Sequence, residues 1–209
     1  MALASYSDLQ TAMANELDRD DLTAKIPDWI AQFEAQINRD LTHRELQTEG
    51  TLTISAGDGS VSLPTDYNAA IAVALETTTA VMLEPVTIYE LRQQYPTSTQ
   101  GQPVKYAILG DSMHFRPYSD GGATSITIYY YTVVPPLASN DPNWLLTQYP
   151  DIYLYGSLMG SATYLHDDSR LQTWMGLYDR GIASLEGQDA RAKWNGAPAR
   201  AQLDVVIVP

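Results

Sequence analysis

Residues 150–195 read PDIYLYGSLMGSATYLHDDSRLQTWMGLYDRGIASLEGQDARAKWN, and this stretch decides how the carboxyl-terminal part of the chain folds. His166-Asp167-Asp168 divides it into two segments of helical length. In the first segment, apolar residues recur at spacings of three and four on more than one side: Ile152, Leu154, Tyr155, Leu158, Met159, Ala162 and Leu165. This pattern predicts a helix that is buried on more than one side.

The second segment predicts a helix with one apolar face. Ser169 and Gln172 have the spacing of a capping box. A single apolar stripe follows, formed by Leu171, Trp174, Met175, Tyr178, Ile182 and Leu185. Asn195-Gly196 and Pro198 are typical of a helix end. Together the two segments predict a helical hairpin.

The first helix carries Gly156, Ser157, Gly160 and Ser161, so the side chains on part of its surface are very small. A glycine inside a helix costs about 0.5–1 kcal/mol relative to alanine, so two of them require a structural reason. We expect another helix to approach this backbone closely. Gly156 and Gly160 are therefore candidate interface residues.

The composition limits the chemistry that the chain can perform. Its 209 residues carry a net charge of −13, and 44% of them are hydrophobic, as in ordinary globular proteins. No cysteine is present, which excludes disulfides, thiol nucleophiles and thiolate metal sites. The opening MALASYSDLQ does not resemble a signal peptide, and no run of about 18 apolar residues predicts a membrane span.

Two helices are predicted near the amino terminus. Ser7-Asp8-Leu9-Gln10 has the spacing of a capping box, and Leu9, Met13 and Leu17 share one face of the helix that follows. Pro27 suits the first turn of the next helix. Its apolar stripe is the clearest in the chain and consists of Trp29, Ile30, Phe33, Ile37 and Leu41. We expect this second helix to pack on the carboxyl-terminal hairpin.

The middle of the chain has the alternating pattern of strands. Thr51–Ile54 and Ser60–Leu63 flank a turn at residues 56–59, which predicts a β-hairpin. Thr87 and Glu90 predict a capped short helix up to Tyr95. Five further strands are predicted at Ile71–Leu75, Val81–Leu83, Lys105–Leu109, Met113–Arg116 and Ser125–Thr132, with a turn at Gly110-Asp111 after the third of them.

The order of these elements predicts an α+β fold. A discontinuous helical layer, residues 1–50 and 140–196, combines the amino-terminal helices with the carboxyl-terminal hairpin. A mainly antiparallel β domain, residues 51–139, is inserted between its two parts. Residues 197–209 are predicted to form an extended tail.

The tail ends in a strand-prone aliphatic run that includes Leu203, Val205, Val206, Ile207 and Val208. A free run of this kind promotes aggregation unless it pairs with something. We expect it to leave its own subunit and add a strand to a neighbouring chain. The alternative is an edge strand in the subunit's own β domain.

Signals for enzymatic chemistry are few. His43, His114 and His166 lack the spacing of a zinc-binding helix, and no phosphate loop, nucleophile elbow or dinucleotide fingerprint is present. His166-Asp167-Asp168 is explained better as a polar turn than as a cation site. The sequence therefore predicts no catalytic residue, no metal site and no cofactor.

Several motifs, taken in their order along the chain, resemble one family. These are the Asp8-Leu9 helix, Ile26-Pro27-Asp28-Trp29-Ile30, Asn38-Arg39-Asp40-Leu41, Gly50–Leu63 with Pro64-Thr65-Asp66-Tyr67, Tyr106-Ala107-Ile108, Gly110-Asp111-Ser112, Asn143-Trp144-Leu145-Leu146 and Tyr149-Pro150-Asp151. Up to about Gly196 the chain resembles the head-to-tail adaptor proteins of tailed bacteriophages.

The resemblance implies a structural virion protein that is not an enzyme. It implies a dodecameric ring docked beneath the portal, made in the host cytoplasm and located in the neck of the virion. Such a ring continues the DNA channel without binding DNA specifically, and it offers a platform to tail nozzle or fibre proteins. In such a ring, Gly156 and Gly160 would lie at a subunit or portal interface. The tail residues Leu203 and Val205–Val208 lie beyond the resemblance, and their place at the same kind of interface is predicted from their aliphatic, strand-prone character alone.

Two other classes of function remain open from the sequence. The 14 tyrosines and the β domain also suit a carbohydrate-binding tail or fibre component. Paired acids would suit a hydrolase that attacks the host envelope. The acidity suits a channel through which DNA slides, because like charges repel, and by itself it is equally explained by solubility.

Overall fold

The computed structural model of the chain describes residues 3–76, 80–120, 124–165 and 169–194. It forms two compact units. The helical unit comprises Met1–Phe33 and Asp141–Pro209, and the sheet unit comprises Glu34–Asn140. Helices and largely antiparallel sheets are both present, which confirms the predicted α+β class.

The described helices are α1 (Tyr6–Leu17), α2 (Ile26–Asp40), α3 (Ile88–Gln94), α4 (Trp144–Gln148), α5 (Pro150–Leu165) and α6 (Leu171–Trp194). Short 3₁₀ turns occupy Asp20–Lys25 and Arg44–Leu46. The described strands are β1 (Gln47–Ile54), β2 (Ser60–Ser62), β3 (Tyr67–Leu75), β4 (Val81–Met82), β5 (Glu84–Pro85), β6 (Lys105–Leu109), β7 (Ser112–Arg116) and β8 (Thr124–Thr132).

Helix α1 begins two residues earlier than the sequence predicted. Ser5, not Ser7, caps it: the Ser5 hydroxyl accepts a hydrogen bond from the Asp8 backbone N–H at 3.1 Å. Ser7 lies in the first turn, where its carbonyl accepts from the Thr11 hydroxyl at 2.9 Å. The predicted apolar face is confirmed, since the buried residues of α1 are Leu9, Met13 and Leu17.

The predicted stripe of α2 is confirmed, because Trp29, Ile30, Phe33, Ile37 and Leu41 are all buried. In the helical unit α2 packs on the carboxyl-terminal hairpin, as expected. The Phe33 ring lies edge-on to Tyr153 of α5, with centroids 5.2 Å apart, and edge-on to Tyr178 of α6 at 6.1 Å. Aromatic pairs favour this geometry.

Helices α5 and α6 form the hairpin. Helix α5 is buried on several sides, as predicted, including Ile152, Tyr153, Ser157, Leu158 and Ser161, all of which are fully covered. Helix α6 buries Trp174 and Leu185, but Met175 is 41% exposed and the assignment of Met175 to the buried stripe is wrong. Consecutive residues point about 100° apart around a helix, so Met175 turns away from the face of Trp174.

The predicted hairpin of Thr51–Ile54 with Ser60–Leu63 is wrong. The sheet unit holds two sheets, with strand orders β1-β8-β3-β4 and β2-β7-β6-β5, so β1 and β2 belong to different sheets. Strand β8 offers β1 an antiparallel register of eight pairs, whereas β2 has only three residues. Gly59 already bonds to the second sheet, where its carbonyl accepts from the Phe115 N–H at 2.9 Å.

Local signals elsewhere in the sheet unit are confirmed. Strands β6 and β7 form a hairpin around Gly110, whose φ of 58° suits glycine. Thr87 and Glu90 form the predicted capping box, and the hydrogen bonds from the Thr87 backbone and hydroxyl lower the pKa of Glu90. The two sheets enclose a core of Leu52, Ile54, Val73, Leu75, Leu83, Tyr106, Met113, Phe115, Ile126, Ile128 and Tyr130.

Candidate assembly surfaces

The predicted interface glycines of α5 face α2 of the same chain. A Cβ atom built on Gly156 would overlap the Phe33 ring, and one built on Gly160 would lie 3.4 Å from the Trp29 Cβ. The Trp29 ring also meets Tyr164 edge-on, with centroids 6.3 Å apart. The close approach that these glycines predicted is therefore made by α2. A subunit or portal role for Gly156 and Gly160 stays a prediction.

A second small-residue surface lies on α6, and we call it the α6 stripe. It consists of Gly176, Ala183, Gly187 and Ala190, which are all exposed. Spacings of seven, four and three place these residues on one side of the helix. Cβ atoms built on Gly176 and Gly187 meet nothing within 4 Å among the described residues. Sequence reasoning missed this stripe, although its spacing was readable.

The opposite side of α6 is packed. A Cβ atom built on Gly181 would lie 2.8 Å from the Ile152 Cγ1 of α5, so these two helices approach closely there. Trp174 and Leu185 are buried on the same side. The α6 stripe is thus the small face that the helical unit leaves exposed, and an approaching helix could come close to its backbone.

The first sheet carries an exposed apolar surface. Ile71 and Tyr129 are 45% and 37% exposed, and they line a shallow groove of about 350 Å³ with Ala72 and Gln47–Glu49. The pairing of β3 with β8 shifts register between Ala70 and Ala72. Such a bulge leaves one residue without a cross-strand partner, which explains why an isoleucine faces outward.

Other exposed apolar side chains lie elsewhere on the sheet unit. Leu109 at the β6–β7 turn is 53% exposed, Met82 in β4 is 62% exposed and Tyr89 in α3 is 73% exposed. A single exposed apolar side chain is weak evidence for a binding surface. Several exposed apolar side chains on one unit favour contacts with other proteins.

Strand β1 is an edge of the first sheet. Among the described strands its neighbour is β8, so its other side offers backbone groups to an added strand. The candidate tail residues, Leu203 and Val205–Val208, lie outside the described residues, as do Asn195-Gly196 and the turn at residues 166–168. Strand exchange by the tail stays a prediction.

Residues 4–202 match the model of the family described as SU10 adaptor protein. The chain belongs to this family. Membership makes it a phage head-tail adaptor-type protein with a structural role and a place in the virion neck or tail. A comparison with curated proteins found no match.

The adaptor's acidic residues are largely in water. Exposed carboxylates on the amino-terminal 50 residues include Glu16, Asp18, Asp21, Asp28, Asp40, Glu45 and Glu49. Those on the sheet unit beyond them include Asp58, Asp66, Glu76, Glu84, Glu90, Asp111 and Asp120. Asp21 pairs with Arg19 at 2.6 Å, and the hydrogen bond from Arg19 lowers the pKa of Asp21.

The histidines of the adaptor that the structure describes have structural surroundings. His43 is buried, and its Nδ1 accepts from the Glu45 N–H at 3.2 Å at the start of a 3₁₀ turn. His114 lies in β7, opposite Ser60 and Ala107. Across the described ranges, no group of three His, Cys, Asp or Glu side chains is arranged to hold a metal ion. No described helix is both long and apolar enough to span a membrane.

Proposed function

We propose that the adaptor forms a ring, a dodecamer, that docks beneath the portal. In this proposal the ring continues the DNA channel and presents a platform to tail nozzle or fibre proteins. The observation that carries the proposal is the match of residues 4–202 to the SU10 adaptor family, which covers nearly the whole chain. Assembly takes place in the host cytoplasm before the virion is complete.

The α6 stripe supports side-by-side contacts in such a ring. A closed ring needs two different surfaces on each subunit, because each copy binds its neighbours head to tail. A helix with exposed Gly176, Ala183 and Gly187 suits one of them, since small residues let another backbone come close. The exposed apolar residues of the sheet unit, such as Leu109 and Met82, suit the other.

Gly156 and Gly160 support the same ring indirectly. The two glycines let α2 pack closely on α5, and this packing stabilises the helical unit. The ring and portal contacts would then form on the surface of that unit. The tail, Leu203 to Val208, would add a strand to a neighbour, and the edge of β1 is long enough to accept it: eight residues against six.

The net charge of −13 supports a channel that DNA passes without sticking. DNA carries one negative charge per about 1.7 Å of its axis, so an acidic wall repels it and a basic wall would hold it. No cofactor or metal enters this role.

The decisive test is imaging of the adaptor on purified portal particles by cryo-electron microscopy, with native mass measurement of the free protein. We expect a ring of twelve copies on the portal. A protein that stays monomeric with portals and instead binds glycans, or turns over envelope polymers, would contradict the proposal.

A variant pair sharpens the test. Gly187→Leu places a large side chain on the α6 stripe, where no neighbour in the described part of the chain would clash, so the subunit stays folded and loses its ring. Gln188→Leu is the control, because residue 188 is also exposed but points about 100° away around the helix. It removes the exposed hydrogen bonds of Gln188 with Tyr149 and Ser184, so its folding is checked by circular dichroism first. Equal assembly of both variants would remove the α6 stripe from the interface.

A further inference from the structure

A small polar cavity of about 130 Å³ lies in the sheet unit, between the end of α3 and the end of β7. Two arginines, Arg92 and Arg116, reach it from these two elements. The rest of its lining is Tyr95, Pro96, Thr97, Ser98 and Tyr118. Two cations at one small cavity are unusual in a chain that has 25 acidic and 12 basic residues.

Arg116 forms the buried part of this cavity and is only 5% exposed. Its Nη1 donates to the Phe115 carbonyl at 2.6 Å and to the Gly59 carbonyl at 3.3 Å. The guanidinium lies over the Tyr118 ring, 4.0 Å from its centroid. These contacts fix the orientation of the side chain, and they leave Nε and Nη2 without a hydrogen-bond acceptor among the described residues.

No carboxylate in the described ranges forms an ion pair with Arg116. Ion pairs of the described part of the sheet unit, such as Arg44–Glu45 and Lys105–Glu84, lie elsewhere. Burial of a cation without a counter-charge is costly, and an anion that enters the cavity would offset part of that cost. This cost points to a ligand that supplies the missing negative charge.

The mouth of the cavity adds further donors. Arg92 is exposed and brings a second guanidinium, while Thr97 and Ser98 bring hydroxyls. Both arginine charges also act on His114 nearby: burial lowers the pKa of His114 first, and the charges of Arg116 and Arg92 lower it further. The cavity therefore has one fixed, buried cation at its bottom, Arg116, and one exposed cation at its mouth, Arg92.

We propose that this cavity binds a carboxylate, presented by an acidic side chain of a partner protein. The volume suits one planar oxyanion, and a guanidinium can donate two parallel hydrogen bonds to a carboxylate. DNA phosphate fits less well, because a chain with a net charge of −13 repels DNA at long range. The inference concerns a site that ring formation does not require, so each can fail without the other.

The test is an NMR titration of the full chain at constant ionic strength. Sodium acetate is the first probe, N-acetyl-glutamyl-amide the second, inorganic phosphate the third and sodium chloride the reference. We expect acetate and the glutamyl probe to shift the backbone amides of Thr97, Ser98 and Tyr118 saturably. Chloride should bind more weakly than acetate, because a single atom cannot accept two parallel hydrogen bonds from one guanidinium.

Two variants locate the binding. Arg92→Gln should weaken acetate binding by about tenfold, the effect of losing one charge-assisted hydrogen bond. Arg39→Gln is the matched control, since it removes an exposed arginine of the same unit outside the cavity. Arg116→Lys keeps the charge but loses the second parallel donor, so a folded Arg116→Lys protein should also bind acetate more weakly.

Four results would overturn the proposal. Acetate shifts that match those of chloride would remove the anion site. If wild type and Arg92→Gln bind acetate with equal affinity, acetate does not bind in this cavity, whether or not Arg116→Lys folds. Tighter binding of phosphate than of acetate, or acetate binding without glutamyl binding, would reject a partner's carboxylate as the ligand.

Discussion

Gly156 of α5 lies so close to Phe33 of α2 that a Cβ atom at this position would overlap the aromatic ring. Gly160, one turn further along, has room for a methyl group beside Trp29. The Phe33 ring is held from other sides by Tyr153 and Tyr178. The packing of α2 on α5 therefore depends on one glycine more than on the other.

Gly156→Ala should destabilise the protein. The added methyl forces Phe33 or the α5 backbone to shift, and overpacking of this kind costs about 1–3 kcal/mol. Gly187→Ala is the control, because its Cβ meets nothing and helix propensity alone should stabilise it by about 0.5–1 kcal/mol. Urea unfolding of both variants measures the difference, and equal midpoints would show that α2 does not pack tightly on Gly156.

Gly160→Leu should also overpack the helical unit, at a cost of about 1–3 kcal/mol, and should impair ring formation. Gly160→Ala should be tolerated, because its Cβ would lie at an ordinary contact distance of 3.4 Å from Trp29. Normal assembly of the leucine variant on portals would contradict this expectation.

Asn143→Ala should weaken the start of α4. The Asn143 Oδ1 accepts from the Leu146 N–H at 2.9 Å, and its Nδ2 donates to the Tyr153 hydroxyl at 2.6 Å. Loss of a helix cap costs about 0.5–2 kcal/mol. Tyr153→Phe keeps the cap and removes the bond from the Asn143 Nδ2, so thermal unfolding should rank it above Asn143→Ala. The reverse order would place the main contribution in the contacts of the tyrosine hydroxyl.

His114 should make stability depend on pH. Its pKa is lowered in the folded state, by burial first and then by Arg116 and Arg92. The unfolded chain therefore binds the proton more readily, and this contribution to stability is present above the ordinary value near 6.5 and is lost as the pH falls below it. Urea midpoints at pH 7.5 and pH 5.0 should differ less in His114→Gln than in wild type.

Deletion of residues 203–209 distinguishes the two fates of the tail. A six-residue strand spans about 20 Å, enough to cross one subunit boundary. We expect the truncated chain to stay folded, as measured by circular dichroism. We expect it to lose the ability to form a ring or to bind the portal. Unfolding of the truncated monomer would instead assign the tail to its own sheet unit.

Reversal of channel acids to lysine should slow DNA ejection, and more at low salt than at high salt, since screening weakens charge interactions. The exposed carboxylates of the first 50 residues and of the sheet-unit turns are the candidates. Imaging of the ring selects those that face the lumen. Ejection rates that respond to neither charge nor salt would remove the electrostatic role.

Elements with local signals were predictable from the sequence. The capping box at Thr87 and Glu90, the Gly110 turn and the stripe of α2 each depend on residues a few positions apart. Strand partners were not. Strand β1 pairs with β8, which lies over 60 residues further along the chain. The alternation of apolar and polar residues predicts that a strand has a buried face, but it does not identify the strand that pairs with it.

The candidate sites show the same division. Gly156 and Gly160 were readable as a surface that something approaches, yet only the fold identifies that neighbour as α2. The α6 stripe could have been found from its spacing, since Gly176, Ala183 and Gly187 recur at helical intervals. Arg116 could not, because its burial and its place beside Arg92 follow from the pairing of β7 and the position of α3.

The discontinuity of the helical unit imposes an order on biosynthesis. Helix α1 and the start of α2 leave the ribosome early, but their partner α5 is translated more than 100 residues later. At about 5–20 residues per second, the wait is on the order of 10 s. Glu34–Asn140, being continuous, can fold in the meantime. Leu9, Met13 and Trp29 stay uncovered by α5 during that interval, and we expect chaperones to bind the nascent chain then, because exposed apolar surface promotes aggregation.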